Sequence, residues 1–248
     1  METVVVTASA GTFSELADAL REASVRVEER PLVSFLPPLD WSQLDDALIR
    51  RNRFGSVALT SPRAAAAVAE RLRVCGISWD KNDSPPVWTV GSSTTSALRG
   101  TVGDTHEPEA SPAADTSGAE RLARAMLAAD ARGPVLFPCG NRHRDELPSI
   151  LREKSIDVEE VLCYRAVLAG REEARAAAAV STMLVVASPS VVELLAESCP
   201  PASRPLLVAI GPTTAASARA AGWLPAAVAS TPSTRALATA ITDLLTAH

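Results

Sequence analysis

The chain has 248 residues, of which 47% are hydrophobic and 21% charged, with a formal net charge of −5. That composition excludes collagenous, fibrous and disordered chains, and the acidic balance leaves no overall basic field for nucleic acid or an anionic membrane. Aromatic residues are only 4% of the total, so the core has to be built from Ala, Val and Leu. In chain order, the hydrophobic pattern predicts a strand over 3–6, a helix over 13–22, a strand over 56–60 and a helix over 63–73. A strand over 87–90, a helix over 119–129, a strand over 134–137, a helix over 144–153 and a strand over 157–163 follow. The last third reads as strand 183–187, helix 190–197, strand 206–210, helix 213–221 and helix 234–246. Short β-branched runs separated by Ala/Leu/Arg/Glu stretches with helical spacing predict parallel sheets covered on both faces, an α/β fold. Pro37-Pro38, 80–86 and 105–117 read as loops.

The chain repeats itself. Val4-Val5-Val6-Thr7 aligns with Val135-Leu136-Phe137-Pro138 at an offset of 131 residues. The same offset places Glu15-Leu16 on Glu146-Leu147 and residues 25–29 on 156–160. A second pair, Thr60-Ser61-Pro62 and Ala187-Ser188-Pro189, is offset by 127, and Val90-Gly91 matches Ile210-Gly211 at 120. A register held over such lengths predicts a duplicated α/β domain with small differences in loop length.

Several predicted strands end in the same way, in small or hydroxyl residues that open a helix. They are Thr60-Ser61-Pro62-Arg63, Gly91-Ser92-Ser93-Thr94, Cys139-Gly140-Asn141-Arg142, Ser188-Pro189-Ser190 and Gly211-Pro212-Thr213-Thr214. In a parallel sheet these turns fall on the carboxyl rim, where helix N-termini offer N–H groups and partial positive charge to anions. Any one such turn is an ordinary helix cap. The recurrence of hydroxyl residues at equivalent places in both copies is what favours a binding role. No GxGxxG or GxxxxGK[ST] fingerprint is present, and Lys occurs only at 81 and 154, which leaves little room for P-loop or Schiff-base chemistry. Cys75, Cys139, Cys163 and Cys199 show no CxxC pattern and no His at ligand spacing, so neither a zinc nor a thioredoxin-type motif is expected. His106, His143 and His248 form no triad or HExxH pattern. Tyr164, the single Tyr, ends a predicted strand beside Arg165; its phenol could donate a hydrogen bond to a leaving oxygen or simply sit half-buried with its hydroxyl in water. Arg63 and Arg142 are candidates for pairing with carboxylates or, equally, exposed cations. The N-terminal segment lacks a basic start and a signal-length apolar core, and no apolar run approaches the ~18–20 residues that span a bilayer. A cytoplasmic protein with reduced thiols is expected.

Taken in order, these segments resemble the uroporphyrinogen-III synthases. The resemblance is carried by Leu59-Thr-Ser-Pro-Arg63, Val87-Trp-Thr-Val-Gly91, Leu136-Phe-Pro-Cys-Gly-Asn141 and the strand ending Cys163-Tyr164. Further along come Ala187-Ser-Pro-Ser190, Ala209-Ile-Gly-Pro-Thr-Thr214 and Thr231-Pro-Ser233. It departs from the family at the first strand, where Thr7 is followed by Ala8-Ser9 instead of Arg. The resemblance implies two similar flavodoxin- or Rossmann-like domains joined by a two-stranded linker, with a cleft between them. One domain would comprise 1–36 with 166–248 and the other 37–165, with linker strands near 31–37 and 161–167. The implied reaction is cyclisation of hydroxymethylbilane, a linear tetrapyrrole, to uroporphyrinogen III. Water is lost and the terminal ring is inverted through a spiro intermediate, with no cofactor and no metal. Tyr164 is implied as the proton donor. Thr60, Ser61, Arg63, Gly91, Thr94, Gly140, Asn141, Arg142, Ser188, Ser190, Gly211, Thr213 and Thr214 are implied as substrate contacts. The helix N-termini expected at Ser61, Thr94, Asn141, Ser188 and Thr213-Thr214 would hold substrate carboxylates. A monomer is expected, taking its substrate from the preceding enzyme of the pathway, with no nucleic acid or membrane partner. The competing expectations are a non-catalytic two-lobed module for a small polyanion, a small nucleotide- or sugar-transferring enzyme, and a regulator that kept the fold without the activity.

Overall fold

The computed structural model describes residues 2–23, 25–80, 82–98, 100–109 and 117–246. His248, and most of the loop expected over 105–117, lie outside the described residues. The chain opens with β1 (Thr3–Val6), α1 (Leu16–Ala19), β2 (Arg26–Glu29), β3 (Val33–Leu36) and α2 (Ser42–Ile49). It continues through β4 (Ser56–Leu59), α3 (Pro62–Val74), β5 (Val87–Thr89), α4 (Ser92–Ala97), β6 (Thr105–His106), α5 (Gly118–Ala128), β7 (Val135–Gly140) and α6 (Glu146–Glu153). After β8 (Val158–Leu168) come α7 (Arg171–Val180), β9 (Met183–Val186), α8 (Pro189–Ser198), β10 (Leu206–Ala209), α9 (Pro212–Ala220), β11 (Ala227–Val228) and α10 (Thr234–Thr246).

The chain divides into two compact units, one of residues 1–35 with 167–248 and the other of residues 36–166. The first unit holds a sheet in the order β11-β10-β9-β1-β2, and the second sheet runs β6-β5-β4-β7-β8-β3. Reading both from the same edge, β10, β9, β1 and β2 correspond to β5, β4, β7 and β8, the strands that the sequence offsets pair. The registered pairs among β1, β2, β9, β10 and β11, and among β4 to β8, are all parallel. β3 lies beside β8, and both passages of the chain from one unit to the other fall within these two strands.

Each sheet is buried on both faces, as its near-continuous apolar strands require. In the second unit, Leu44, Leu48, Ala64, Val68 and Leu72 of α2 and α3 cover one face, and Leu122, Met126, Leu147 and Leu151 of α5 and α6 cover the other. In the first unit, α7, α8 and α9 supply Ala174, Ala177, Val192, Leu195 and Ala218 to one face, while Leu16, Leu237 and Ile241 of α1 and α10 close the other. Small helix residues against Val/Leu strands allow close approach, and this is how a chain with few aromatics fills its core. α3 and α9 end alike. Gly76 and Gly222 take φ of +65° and +66°, and the amides of Ile77 and Trp223 bond back to Leu72 and Ala218 at 2.8 Å.

Two predicted elements differ from what the pattern suggests. The helix expected over 13–22 shrinks to the four residues of α1 and a short 3-10 turn, because the Thr12 amide and hydroxyl both bond to the Ser9 carbonyl and hold a turn instead of a helix start. The helix expected from 144 begins at Glu146, with Asp145 as its N-cap. α2, α4 and α7 lie outside the expected helices; the Ala174, Ala177 and Ala178 spacing that buries α7 is present in the sequence.

Candidate active site

On the second unit's rim, β4 gives way to α3 at Ser61. Its backbone is extended, and its hydroxyl accepts a hydrogen bond from the Arg63 amide at 3.2 Å, while Pro62 occupies the first helical position. Arg63 therefore stands in the first turn of α3. Crowding around its guanidinium pushes its pKa below the ordinary value, and the nearby phenol of Tyr164 acts in the opposite sense. Structure thus brings together two predicted residues that are 101 positions apart in sequence.

Tyr164 owes its position to an irregularity. β7 and β8 pair regularly up to Cys139 opposite Leu162, and the next pair is Gly140 opposite Tyr164. Cys163 is the extra residue, and its thiol donates to the Cys139 carbonyl at 3.3 Å. An extra residue breaks the strict alternation of faces and re-aims the next side chain. Val161, Cys163 and Tyr164 consequently all pack with the core of α2 and α3. The tyrosine ring lies directly over Gly140: a Cβ there would come within 2.4 Å of the ring carbons and 2.8 Å of the hydroxyl. Glycine is needed for close approach, with no demand on backbone angle.

Asn141 acts differently from the expectation. It follows β7 in a turn, five residues before α6, and is not at a helix N-terminus. Its side chain clasps the next stretch of β8, donating to the Ala166 carbonyl at 3.2 Å and accepting from the Ala166 amide at 2.7 Å. It positions the strand that carries Tyr164. Arg142 is exposed in the same turn.

Gly91 is the N-cap of α4 and Gly211 that of α9; both are extended, and a Cβ on either would meet no atom within 4 Å. These two turns therefore present open backbone. The threonines that follow do not all share that exposure. Thr94 is fully buried and Thr214 nearly so, whereas Thr213 is exposed. The recurrence of threonine in both copies reflects a helix face that packs on its sheet; Thr94 and Thr214, expected at substrate-holding helix N-termini, turn their side chains inward and leave the backbone of those turns as the exposed part. Ser188 caps α8 by accepting from the Val191 amide at 3.4 Å, with Pro189 at the first helical position as in α3; Ser190 lies 3.3 Å from it, hydroxyl to hydroxyl. Thr60 is partly exposed at the end of β4. The rim of the second unit thus gathers Thr60, Ser61, Arg63, Gly91, Gly140, Asn141, Arg142 and Tyr164, and that of the first unit gathers Ser188, Ser190, Gly211 and Thr213.

The family model described as "Uroporphyrinogen-III synthase HemD" matches residues 14–239. The chain belongs to the uroporphyrinogen-III synthase HemD family. A uroporphyrinogen-III synthase from Synechococcus elongatus is 35% identical over 98 residues, which span 39% of this chain and 36% of that protein. In fold, the chain is similar to a mutant uroporphyrinogen III synthase from the extremely thermophilic bacterium Thermus thermophilus, with a TM-score of 0.69, 16% identity and full coverage of both chains. It is also similar to uroporphyrinogen-III synthetase from Helicobacter pylori, with a TM-score of 0.61, 18% identity, and coverage of 98% of this chain and 100% of that one.

In this member of the uroporphyrinogen-III synthase family the loop after β1 carries no cation. Thr7 is buried, with its hydroxyl bonded to the Val185 carbonyl at 2.8 Å, and Ala8 is buried beside it. Sequence reasoning also missed a cluster on the opposite face of β7 and β8 from Tyr164. Cys139, His143 and Glu160 offer ligand atoms that all lie within 4.8 Å of one another. The sequence reading found no His at ligand spacing from a cysteine; the fold brings His143 and Glu160 beside Cys139. The Cys139–His143 spacing was visible, but Glu160 comes from the adjacent strand and only the pairing of β7 with β8 reveals it. Burial, with Glu160 as a lesser cause, pushes the Cys139 thiol up to about 12. Among the described residues, no helix is long and apolar enough to cross a membrane.

Proposed function

We propose that the chain cyclises hydroxymethylbilane to uroporphyrinogen III, with loss of water and inversion of the terminal ring. The observation that carries this reading is the grouping of Tyr164, Arg63 and Gly140 on the carboxyl rim of a family member. The hydroxymethyl C–O bond breaks as the Tyr164 Oη–H gives its proton to the departing oxygen, releasing water. The pyrrole nitrogen stabilises the cation left on carbon, so a weak acid is sufficient. The guanidinium of Arg63 offsets the negative charge left on the phenol oxygen. The terminal ring then attacks through its substituted carbon, giving a spiro intermediate; the bond from that carbon to its original methylene bridge breaks, the ring turns over and rebonds to the bridge through its free carbon, and the proton lost from that carbon restores the phenol. The protein's larger task is to hold the bilane folded, which is control of position and entropy. On the second unit, substrate carboxylates are taken up by the capped N-terminus at Ser61, the open backbone at Gly91 and the exposed Arg142; the first unit offers the same kinds of group on its own rim, at Ser188, Ser190, Gly211 and the exposed Thr213. Asn141 and Gly140 keep Tyr164 in place.

The test is to supply hydroxymethylbilane to the purified chain, oxidise the product and resolve the uroporphyrin isomers. Spontaneous closure gives isomer I, so isomer III in excess is expected. Tyr164→Phe should lower the rate roughly 100-fold, at the low end for a general acid, with an unchanged melting temperature. Isomer I alone from a folded sample would sink the proposal. We further propose that the protein acts as a cytoplasmic monomer supplied by the enzyme that makes the bilane. Its four cysteines are free thiols, which suits a reducing compartment. Sedimentation equilibrium tests the monomer, and transfer of bilane without release to an added trap tests the hand-over.

A further inference from the structure

The cluster at Cys139 has no part in the proposed cyclisation, and its geometry points to a separate chemistry. Phe137 pairs directly with Glu160 across β7 and β8, and Cys139 lies two residues further along, so the thiol and the carboxylate share a face of the sheet. A tight turn, with the His143 amide bonded to the Gly140 carbonyl at 3.1 Å, folds the imidazole back over that face. The ring is oriented on both sides. Nδ1 sits 2.9 Å from the Gly140 carbonyl, and Phe137 meets the ring edge-on with centroids 5.6 Å apart. That leaves Nε2 directed at Glu160 Oε2, 2.6 Å away. The other carboxylate oxygen, Oε1, accepts from Arg152 Nη2 at 2.6 Å. A ring N–H held by a backbone carbonyl and a carboxylate oxygen held by a cation are the outer-shell contacts that orient metal ligands.

We propose that Cys139, His143 and Glu160 form a binding site for one divalent cation of the zinc class. The donor set decides the class: a sulfur, an imidazole nitrogen and a carboxylate oxygen suit zinc and its borderline-soft relatives, and the thiol disfavours calcium and magnesium. Three protein ligands leave a fourth, tetrahedral position for water. The side chains of His143 and Glu160 are 26% and 27% exposed, which provides the entry path to the buried thiol. Binding releases the Cys139 thiol proton to the buffer. The two charges of the ion are then matched by the thiolate and the carboxylate. Side-chain movements of about 1 Å bring the three atoms to coordination distance. Cys139 and His143 flank Gly140 and Asn141, so the ion fastens the turn that supports Tyr164.

The full-length chain, stripped with a chelator, is titrated with Zn²⁺ by calorimetry and with Co²⁺ by absorption. One ion per chain is expected, with micromolar affinity, and the cobalt form should show a thiolate-to-cobalt charge-transfer band in the near ultraviolet. Cys139→Ser should abolish the band, and Cys139→Ser, Glu160→Gln and His143→Ala should each weaken Zn²⁺ binding ~10-fold or more. Cys75→Ser should change neither. Folding of each variant is checked by circular dichroism; Glu160→Gln, a partly exposed change, decides the question should Cys139→Ser fail to fold. No binding at a several-fold excess of Zn²⁺, a cobalt complex without the sulfur band, or undiminished binding in Glu160→Gln would overturn the proposal.

Discussion

The two units share one strand order yet close their central strands differently. In the first, β1 stays bonded to β9 to its end: Val6 pairs with Val185, and the Thr7 amide and hydroxyl both bond to the Val185 carbonyl, at 3.1 and 2.8 Å. In the second, the residue at the position of Thr7 is Pro138, which has no N–H to give, and the registered pairing of β7 with β4 stops at Val57 opposite Leu136. The extra residue Cys163 then turns Tyr164 toward α3. At the positions that the repeat offsets match to Arg63, Asn141 and Tyr164, the first unit has Ser190, Ala10 and Val33. A duplicated scaffold has therefore kept its caps in both copies, at Ser61 and Ser188, and carries Arg63, Asn141 and Tyr164 in one. The lesson is that ladder irregularity, not strand order, separates the two.

The sharpest way to break this comparison is alkaline pH. Burial, as the leading cause, pushes both Cys139 and Cys163 of the second unit up to about 12 from an ordinary 9.0. Burial also raises Cys199 of the first unit, but Arg204 and Arg175 oppose it. Between the unfolded and folded values the unfolded chain has lost protons that the folded chain keeps, so stability falls as pH rises through this window and is intact below it. The expected slope is about 1.4 kcal/mol per pH unit for each thiol. Urea unfolding at about pH 8 and about pH 10.5 should show it, and Cys139→Ala with Cys163→Ala should flatten it; an unchanged slope would refute the assignment.

Gly140→Ala should displace the Tyr164 ring and lower the rate of isomer III formation roughly 10-fold, whereas Gly103→Ala, which meets open space away from the rim, should leave it unchanged. Equal effects from the two glycines would contradict the close approach described above. Pro138→Thr gives the second unit the residue that the first uses. It should extend the β4–β7 ladder, stabilise by about 1 kcal/mol in urea unfolding, and slow turnover by stiffening the rim. A destabilised variant would show that the rim does not depend on the missing bond. The smallest effect is expected at Thr94, whose hydroxyl is buried with no hydrogen-bond partner among the described residues. Thr94→Val should be neutral or stabilising by up to about 1 kcal/mol with full activity, and loss of activity would restore Thr94 to the substrate site.

Much of this was legible in the residues. The repeat offsets name the strands that occupy equivalent places in the two sheets, since an apolar run keeps its burial pattern after duplication. Ser61 and Ser188, each followed by Pro, declared helix starts because a cap is a local event. What was not legible depended on neighbours distant in sequence. Thr213 and Thr214 are adjacent and alike in the chain, and only the packing of α9 decides that one is outside and the other in. Asn141 reads as a helix start until Ala166 is beside it.

By itself the sequence determined the α/β class, the duplication and the caps, all of which follow from periodicity and local hydrogen bonding. Tertiary structure alone decided that an extra residue in β8 lays Tyr164 over Gly140, near enough to Arg63 to be felt electrostatically, and that Glu160 joins Cys139 and His143. Both outcomes depend on the register between β7 and β8, a long-range pairing that no local pattern encodes.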